Sequence, residues 1–202
     1  MYWQDRLGKS QQELTNRGIA KTEKQLIKYY QKSMDSVIKE FENTYLKLLE
    51  IMVDGKQPTP ADLYNLSKYW ELQGQLKREL EKLGDKQAAL MSKQFTEQYL
   101  DVYNSFALPD TDGYFHTVDK KTAQQMINNI WCADGKSWSN RVWTNIDKLQ
   151  QTLNDNLIDC VVTGKKSTEL KNLLQKEFDV SYHRADSLVR TEMAHIQTQA
   201  AQ

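Results

Sequence analysis

The chain has 202 residues, of which 39% are hydrophobic and 27% are charged. Its 27 basic and 27 acidic side chains balance, so there is no global field to hold polyanionic DNA or an anionic membrane. Because the N-terminus is polar and no apolar run approaches the roughly 20 residues that span a bilayer, we expect neither a signal peptide nor a transmembrane segment.

The N-terminal quarter predicts one long helix. After Tyr2, Trp3 and Leu7 the chain is polar from 8 to 24, which predicts a helical arm or a partly ordered segment that needs a partner. Apolar residues then recur at steps of three and four, in the stripe Leu26, Tyr30, Met34, Val37, Phe41, Tyr45, Leu48 and Met52. A helix continuous from 3 to 53 would be about 75 Å long, which favours a protein that reaches across something or packs with another subunit.

The middle of the chain predicts further helices. Gly55 and Pro58 break the first helix, and Thr59 is placed to cap the next one with Pro60 at its first position. Gly84 and Asp85 predict a second stop and a new cap. The inner faces on either side of that stop are Tyr69, Leu72, Leu76, Leu80 and Leu83, then Ala88, Met91, Phe95, Tyr99, Val102 and Phe106. Residues 26–107 therefore predict an antiparallel hairpin or a three-helix bundle.

A turn-rich loop, Pro109-Asp110-Thr111-Asp112-Gly113, predicts a boundary that divides the chain into 1–108 and 109–202. After it, Asp119 is placed to cap a short helix that contains Ala123, Met126, Ile127 and Ile130, and 132–136 form another turn. No window shows sustained period-two alternation. The expected class is therefore all-α, with few strands or none.

The C-terminal half predicts a trihelical unit. Its longest stripe is Trp138, Val142, Ile146, Leu149, Leu153, Leu157 and Val161. Gly164 can adopt the left-handed conformation that ends this helix. Ser167 or Thr168 can cap a second helix and Ser181 a third, with inner positions Leu170, Leu173, Leu174 and Phe178, then Tyr182, Ala185, Val189, Met193 and Ile196. The expected architecture is an elongated helical assembly with a long N-terminal helix, a hairpin or bundle, and this unit.

Polar residues near the C-terminus allow two interpretations. Arg190 follows Asp186 by four residues, the spacing of an ion pair on a helix surface. Alternatively, Arg190 and Glu192 brace the helix that begins at Trp138, as a structural clasp. Glu192 and His195 match the spacing of metal-binding helices but lack the further ligands, which favours a surface pair.

The remaining reactive residues do not form a recognisable site. His116 and His183 have no companions at ligand spacing. Cys132 and Cys160 lack a Cys-x-x-Cys or Cys/His pattern and are expected to be reduced thiols. We therefore expect no catalytic, cofactor-binding or metal-binding residue.

Aromatic residues outnumber the inner positions available to them. Arg141 lies between Trp138 and Trp143, where stacking on an indole is favoured over phosphate contact. The aromatics that do not all fit on inner stripes are Tyr2, Trp3, Tyr29, Tyr64, Tyr69, Trp70 and Tyr103. Packing at helix crossings and a protein-binding surface are both open explanations. As a candidate interface we select Tyr2, Trp3, Leu7, Tyr29 and Trp70.

Several of these features occur in a characteristic order. They are Trp138-Ser139-x-Arg141-Val142-Trp143, the Thr163-Gly164 stop, the Leu173-x-x-x-x-Phe178 spacing and Leu188-Val189-Arg190-Thr191-Glu192. In this order and spacing they resemble the second half of the Mu protein F-like family of phage minor head, or head morphogenesis, proteins. The opening Tyr2-Trp3-Gln4-Asp5-Arg6 also resembles the start of many members from phages of Gram-positive hosts.

The resemblance implies a non-enzymatic structural protein of a tailed phage or prophage. Such a protein joins the portal and other head proteins in an oligomeric assembly, is made in the host cytoplasm, and lies in the virion, inside the capsid or at the portal vertex. The resemblance leaves room for an influence on DNA packaging or ejection and for contact with packaged DNA. Many members continue into a Cys-x-x-Cys segment, whereas this chain stops at Gln202, which favours a fragment or a processed form.

Two other function classes stay open. A helical nucleic-acid-binding module could be built from residues 165–196, since helix-turn-helix units have similar lengths. The chain could also be the carrier segment of a phage-encoded effector or toxin, in which case the gene extends into a catalytic domain.

Overall fold

The structure, a computed structural model, describes the backbone of residues 2–51, 59–106 and 117–201, and the side chains of 8–48, 59–105 and 117–201. These residues form six helices and no strand. The helices are α1 (Tyr2–Ile51), α2 (Pro60–Tyr64), α3 (Ser67–Phe106), α4 (Lys120–Ile127), α5 (Trp138–Val162) and α6 (Ser167–Ala200). The all-α class and the long N-terminal helix are confirmed. Within the described ranges, no helix is both long enough and apolar enough to cross a bilayer.

The helices form two compact units. Unit 1 consists of Met1–Leu26, Gln87–Val142 and Ala185–Gln202, and unit 2 of Ile27–Lys86 and Trp143–Arg184. Each unit contains residues from both sides of residue 108, so the units do not coincide with the segments 1–108 and 109–202. The predicted boundary loop at 109–113, the break at 54–58, Met52 and His116 lie outside the described residues.

Apolar stripes form the core of unit 2. The predicted positions that are buried here are Tyr30, Val37, Phe41, Tyr45 and Leu48 of α1, Tyr69, Leu72, Leu76, Leu80 and Leu83 of α3, and Ile146, Leu149, Leu153, Leu157 and Val161 of α5. Each large apolar side chain of this kind contributes about 1.5–3 kcal/mol when it is fully removed from water. These predicted positions of α1, α3 and α5 are therefore confirmed as buried, whereas Met34 of the α1 stripe is only half-buried.

Helix α3 does not stop at Gly84, so the predicted break at Gly84 and Asp85 is wrong. A Cβ atom at Gly84 would lie 2.6 Å from Cζ3 of Trp143 on α5. The glycine therefore lets the indole pack directly against the helix backbone, and this contact outweighs the low helix propensity of glycine.

Helix α3 begins at Ser67 rather than at Pro60. Thr59 caps the five-residue helix α2 as predicted, in a reciprocal capping box with Asp62. The backbone N–H of Asn65 then bonds back to the carbonyl groups of Asp62 and Leu63, which ends α2. Asp119 likewise caps α4, as predicted, with its carboxylate 2.7 Å from the N–H of Thr122.

Helix α6 is continuous through Ser181, so the predicted start of a third helix there is wrong. The Ser181 hydroxyl lies 3.4 Å from the Tyr30 hydroxyl, and its carbonyl accepts a 2.9 Å hydrogen bond from Asn145. Burial of this network raises the pKa of Tyr30 to about 12. Because Ser181 bonds to neighbouring helices, it is not available to cap a new helix. The predicted trihelical unit therefore consists of two helices, α5 and α6.

The predicted cap at Ser167 is also wrong, because α6 already includes Ser167 in its first turn.

The end of α5 at Gly164 is confirmed. Gly164 has a φ of 66°, its N–H bonds to the carbonyl of Val161, and the N–H of Lys165 bonds to the carbonyl of Cys160. These two bonds form a Schellman motif. The buried Tyr45 hydroxyl lies 3.0 Å from the Cys160 carbonyl and 2.5 Å from that of Lys165, which ties α1 to this turn.

In unit 1, the polar first half of α1 packs through hydrogen bonds. Thr15 is buried, and its hydroxyl accepts a 2.8 Å bond from Gln98 of α3 and donates a 2.9 Å bond to Gln197 of α6. Gly18 lies at the same crossing, where an added Cβ would be 2.8 Å from Oε1 of Gln98. The partner expected for residues 8–24 is thus supplied by the chain itself.

Two glycines of α3 should respond in opposite ways to alanine. Gly84→Ala should lower the free energy of unfolding by about 1–3 kcal/mol, because the methyl group would overlap the Trp143 ring. Gly74→Ala should raise it by about 0.5–1 kcal/mol, because its Cβ would meet only the mobile end of Arg78, at 3.3 Å. Urea unfolding measures both, and equal effects of the two changes would contradict the packing role of Gly84.

Candidate functional site

Arg190 forms an ion-pair network in unit 1 between α6 and α1. Its Nε donates a 3.1 Å hydrogen bond to Asp186, and its Nη2 pairs with Glu23. Burial raises the pKa of the Glu23 carboxyl above its usual 4.5, the nearby Asp186 adds to the rise, and Arg190 opposes it. The predicted pair with Asp186 is confirmed. The predicted bracing of α5 is wrong, since Arg190 braces α1 instead.

Glu192 is nearly fully buried, with 3% of its surface exposed, so the predicted surface pair with His195 is wrong. Its Oε2 accepts a 3.1 Å hydrogen bond from the indole N–H of Trp131. The same indole stacks on the His195 ring, with the ring centres 4.2 Å apart and 17° between the planes. His195 Nε2 is buried and has no hydrogen-bond partner within the described part of the chain. Glu192 therefore anchors a tryptophan.

That tryptophan belongs to the α4–α5 loop, residues 128–137, whose Ile130 and Trp131 are 57% and 44% exposed. The loop is fastened at its other end by Arg141, whose Nη2 lies 2.8 and 2.9 Å from the two Asp134 oxygens. Arg141 therefore braces through a carboxylate, rather than through the predicted stacking on an indole. The loop presents two apolar side chains on a fixed backbone.

Trp138 and Thr191 have roles within the fold. Trp138 is buried and meets Phe95 edge to face, with ring centres 5.6 Å apart. Thr191 is exposed and donates to the carbonyl of Ser187, one turn earlier in α6.

Sequence reasoning missed the cap of α5, in which Ser137 and Asn140 exchange backbone and side-chain hydrogen bonds. The spacing of these two residues, three apart at the start of an apolar stripe, is the signal that could have found it.

Unit 2 carries an exposed aromatic surface where α2 meets α3. We call Tyr64, Tyr69 and Trp70 the aromatic platform. Tyr64 and Trp70 are 45% and 57% exposed, whereas Tyr69 is buried and donates a 2.7 Å hydrogen bond to Asn154 of α5. The Tyr69 ring meets both others edge to face, at 5.5 and 5.2 Å, and the Trp70 N–H donates to the Tyr64 carbonyl. These contacts hold two exposed rings in fixed orientations.

The two predicted interface residues whose side chains the structure describes, Tyr29 and Trp70, lie on different parts of unit 2. Trp70 is exposed as expected, and Tyr29 is half-buried in a groove between α1 and α3 of unit 2. The side chains of Tyr2, Trp3 and Leu7 lie outside the described residues. His183 lines a separate cavity of about 320 Å³ between α1 and α6, beside Phe178 and Tyr182.

Cys132 and Cys160 are both free thiols, as predicted. In the portion of the chain that the structure describes, no group of three or more His, Cys, Asp or Glu side chains is arranged to hold a metal ion.

Comparisons with protein-family models, with curated proteins and with solved structures found no match to this chain.

Replacing Arg190 with methionine should destabilise the fold more at about pH 7 than at about pH 4. Because the folded pKa of Glu23 is raised, protonation of Glu23 stabilises the fold at low pH, and this stabilisation is lost as the pH rises through that pKa. At neutral pH, Arg190→Met leaves Glu23 and Asp186 without their cation and should cost about 0.5–1 kcal/mol. Urea unfolding at both pH values tests this, with Arg17→Met as the control on α1. An equal loss at both pH values would rule out the electrostatic role.

Replacing Trp131 with phenylalanine should cost about 1.5–3 kcal/mol, because it removes a donor from the buried Glu192 carboxylate. The double variant with Glu192→Gln should be less destabilised than the sum of the two single changes. Trp70→Phe is the matched control, because its N–H bonds to an exposed carbonyl, and should cost less than about 0.5 kcal/mol. Additive losses in the double-mutant cycle would show that Trp131 and Glu192 are not coupled.

Proposed function

We propose that this chain is a structural head protein of a tailed phage or prophage, and that it binds the portal protein during head assembly. The observation that carries the proposal is the ordered set of sequence features from Trp138 to Glu192 that resembles the Mu protein F-like family. A minor head protein has to keep its shape within a large assembly while it offers a surface to other subunits. The proposal therefore needs a braced helical body and an exposed docking surface.

The motif residues are consistent with a bracing role. Arg190 joins α6 to Glu23 of α1, Glu192 holds Trp131 of the α4–α5 loop, and Arg141 holds Asp134 of the same loop. Gly164 permits the turn between α5 and α6. The contacts of Arg190 and Glu192 join elements that are distant in sequence, whereas Arg141 and Gly164 act locally at the two ends of α5, and all four residues support the fold.

The aromatic platform supports the docking part of the proposal. Tryptophan and tyrosine are enriched at the centres of protein interfaces, where rigid rings bury a large area at low entropic cost. Tyr64 and Trp70 are already held in place by Tyr69 and by a backbone hydrogen bond. A partner that covers them would therefore lose little side-chain entropy on binding.

Co-purification with the portal protein encoded in the same genome tests this function. Wild-type chain should retain the portal, and the double variant Tyr64→Ser and Trp70→Ser should retain at least about tenfold less, as expected when hot-spot aromatics are lost. Leu46→Ser is the matched control, because Leu46 is also 57% exposed in unit 2 and lies outside the platform.

The two parts of the proposal can fail separately. If the wild-type chain does not bind the portal, the assignment as a portal-binding head protein is wrong. If the portal binds the wild type and the platform variant equally, the platform is not the docking surface. Urea unfolding of all three proteins shows whether the substitutions act through stability.

A further inference from the structure

A groove between α1 and α3 in unit 2 gathers positive charge. It has a volume of about 260 Å³, and four lysines line it, which we call the lysine groove: Lys32 and Lys39 of α1, and Lys82 and Lys86 of α3. Two carboxylates, Asp35 and Glu79, also line it. Unlike the chain as a whole, which carries no net charge, this groove is locally basic.

Two of the four positive charges are not balanced by a lining carboxylate. The Lys82 ammonium lies 2.6 Å from the Glu79 carboxylate and is therefore paired. Lys32, Lys39 and Lys86 have no ion pair or hydrogen bond within the described part of the chain, and Asp35 is the single unpaired carboxylate facing them. Three ammonium groups against one carboxylate repel one another and attract an anion.

Neutral donors line the same groove. Ser36 and Tyr29 are half-buried, and their hydroxyl groups have no hydrogen-bond partner within the described ranges. Leu83 lines the groove and is buried. Hydroxyl and ammonium groups that converge on a concave surface can together saturate several oxygen acceptors of one ligand, which a single surface lysine cannot do.

The spacing of the lysines along the two helices indicates which size of anion the groove fits. Lys32 and Lys39 are seven residues apart, about 10 Å along the helix, and Lys82 and Lys86 are about 6 Å apart. Duplex DNA presents charge continuously and is held by a longer basic stripe, and the balanced charge of the chain supplies no field to attract it. We propose that the lysine groove binds a compact phosphate-bearing anion of the pyrophosphate class, independently of any binding to a portal.

Calorimetric titration of the full chain with inorganic pyrophosphate at low salt tests the proposal. The double variant Lys39→Gln and Lys86→Gln should weaken binding at least about tenfold, since each loses a charge-assisted contact. The matched control, Lys47→Gln with Lys176→Gln, removes the same charge from exposed positions of unit 2 outside the groove and should change the Kd less than about twofold. Ser36→Ala should weaken binding about threefold to tenfold, with the net charge unchanged.

The outcomes separate this ligand from others. Saturable binding that the groove variants weaken and the control does not supports the proposal. No binding at low salt overturns it, as does an equal effect of the two double variants. Tighter binding of duplex DNA or of a poly-glutamate peptide at the same groove would also overturn it, because either would identify an extended polyanion as the ligand. All of these titrations leave the portal-binding proposal untouched.

Discussion

Buried hydrogen bonds between helices are the constraint on which unit 1 depends. The first half of α1 has too few apolar residues to form a continuous apolar face, yet Thr15 and Thr22 are buried there. Thr15 bonds to Gln98 and Gln197, which come from helices distant in sequence. A polar group that is removed from water costs free energy unless it finds such a partner. The polar half of the long helix is therefore held by specific hydrogen bonds. Its apolar half in unit 2 is held mainly by the burial of apolar surface.

Helix continuity follows from the same balance between local preference and packing. Glycine at 84 and serine at 181 both weaken a helix locally, by about 1 kcal/mol or less. Each is offset by a contact that a stronger helix former would not permit or make. Trp143 packs onto the bare backbone at Gly84, and the Tyr30 hydroxyl lies 3.4 Å from the Ser181 hydroxyl. The predicted stop at Gly84 and the predicted cap at Ser181 are both sites where another helix makes contact.

The surfaces that could bind partners are supported by buried contacts. The exposed rings of the aromatic platform rest on Tyr69 and, through it, on Asn154. The exposed Trp131 of the α4–α5 loop is anchored to Glu192. The lysine groove differs in that its four lysines face only two lining carboxylates and therefore keep an excess of positive charge. Rigid aromatic surfaces suit another protein, and uncompensated ammonium groups suit an anion, so the two proposals rest on separate chemistry.

The sequence by itself determined the all-α class, the long first helix, the buried faces of α1, α3, α5 and α6, the caps at Thr59 and Asp119 and the turn at Gly164. These follow from helical periodicity and from local backbone chemistry, which act within a few residues. Only the tertiary structure decided that α3 and α6 are continuous, that Arg190 reaches Glu23 and that Glu192 is buried under Trp131. Periodicity cannot supply these, because each depends on a partner far away in the chain whose position is set by how the helices pack.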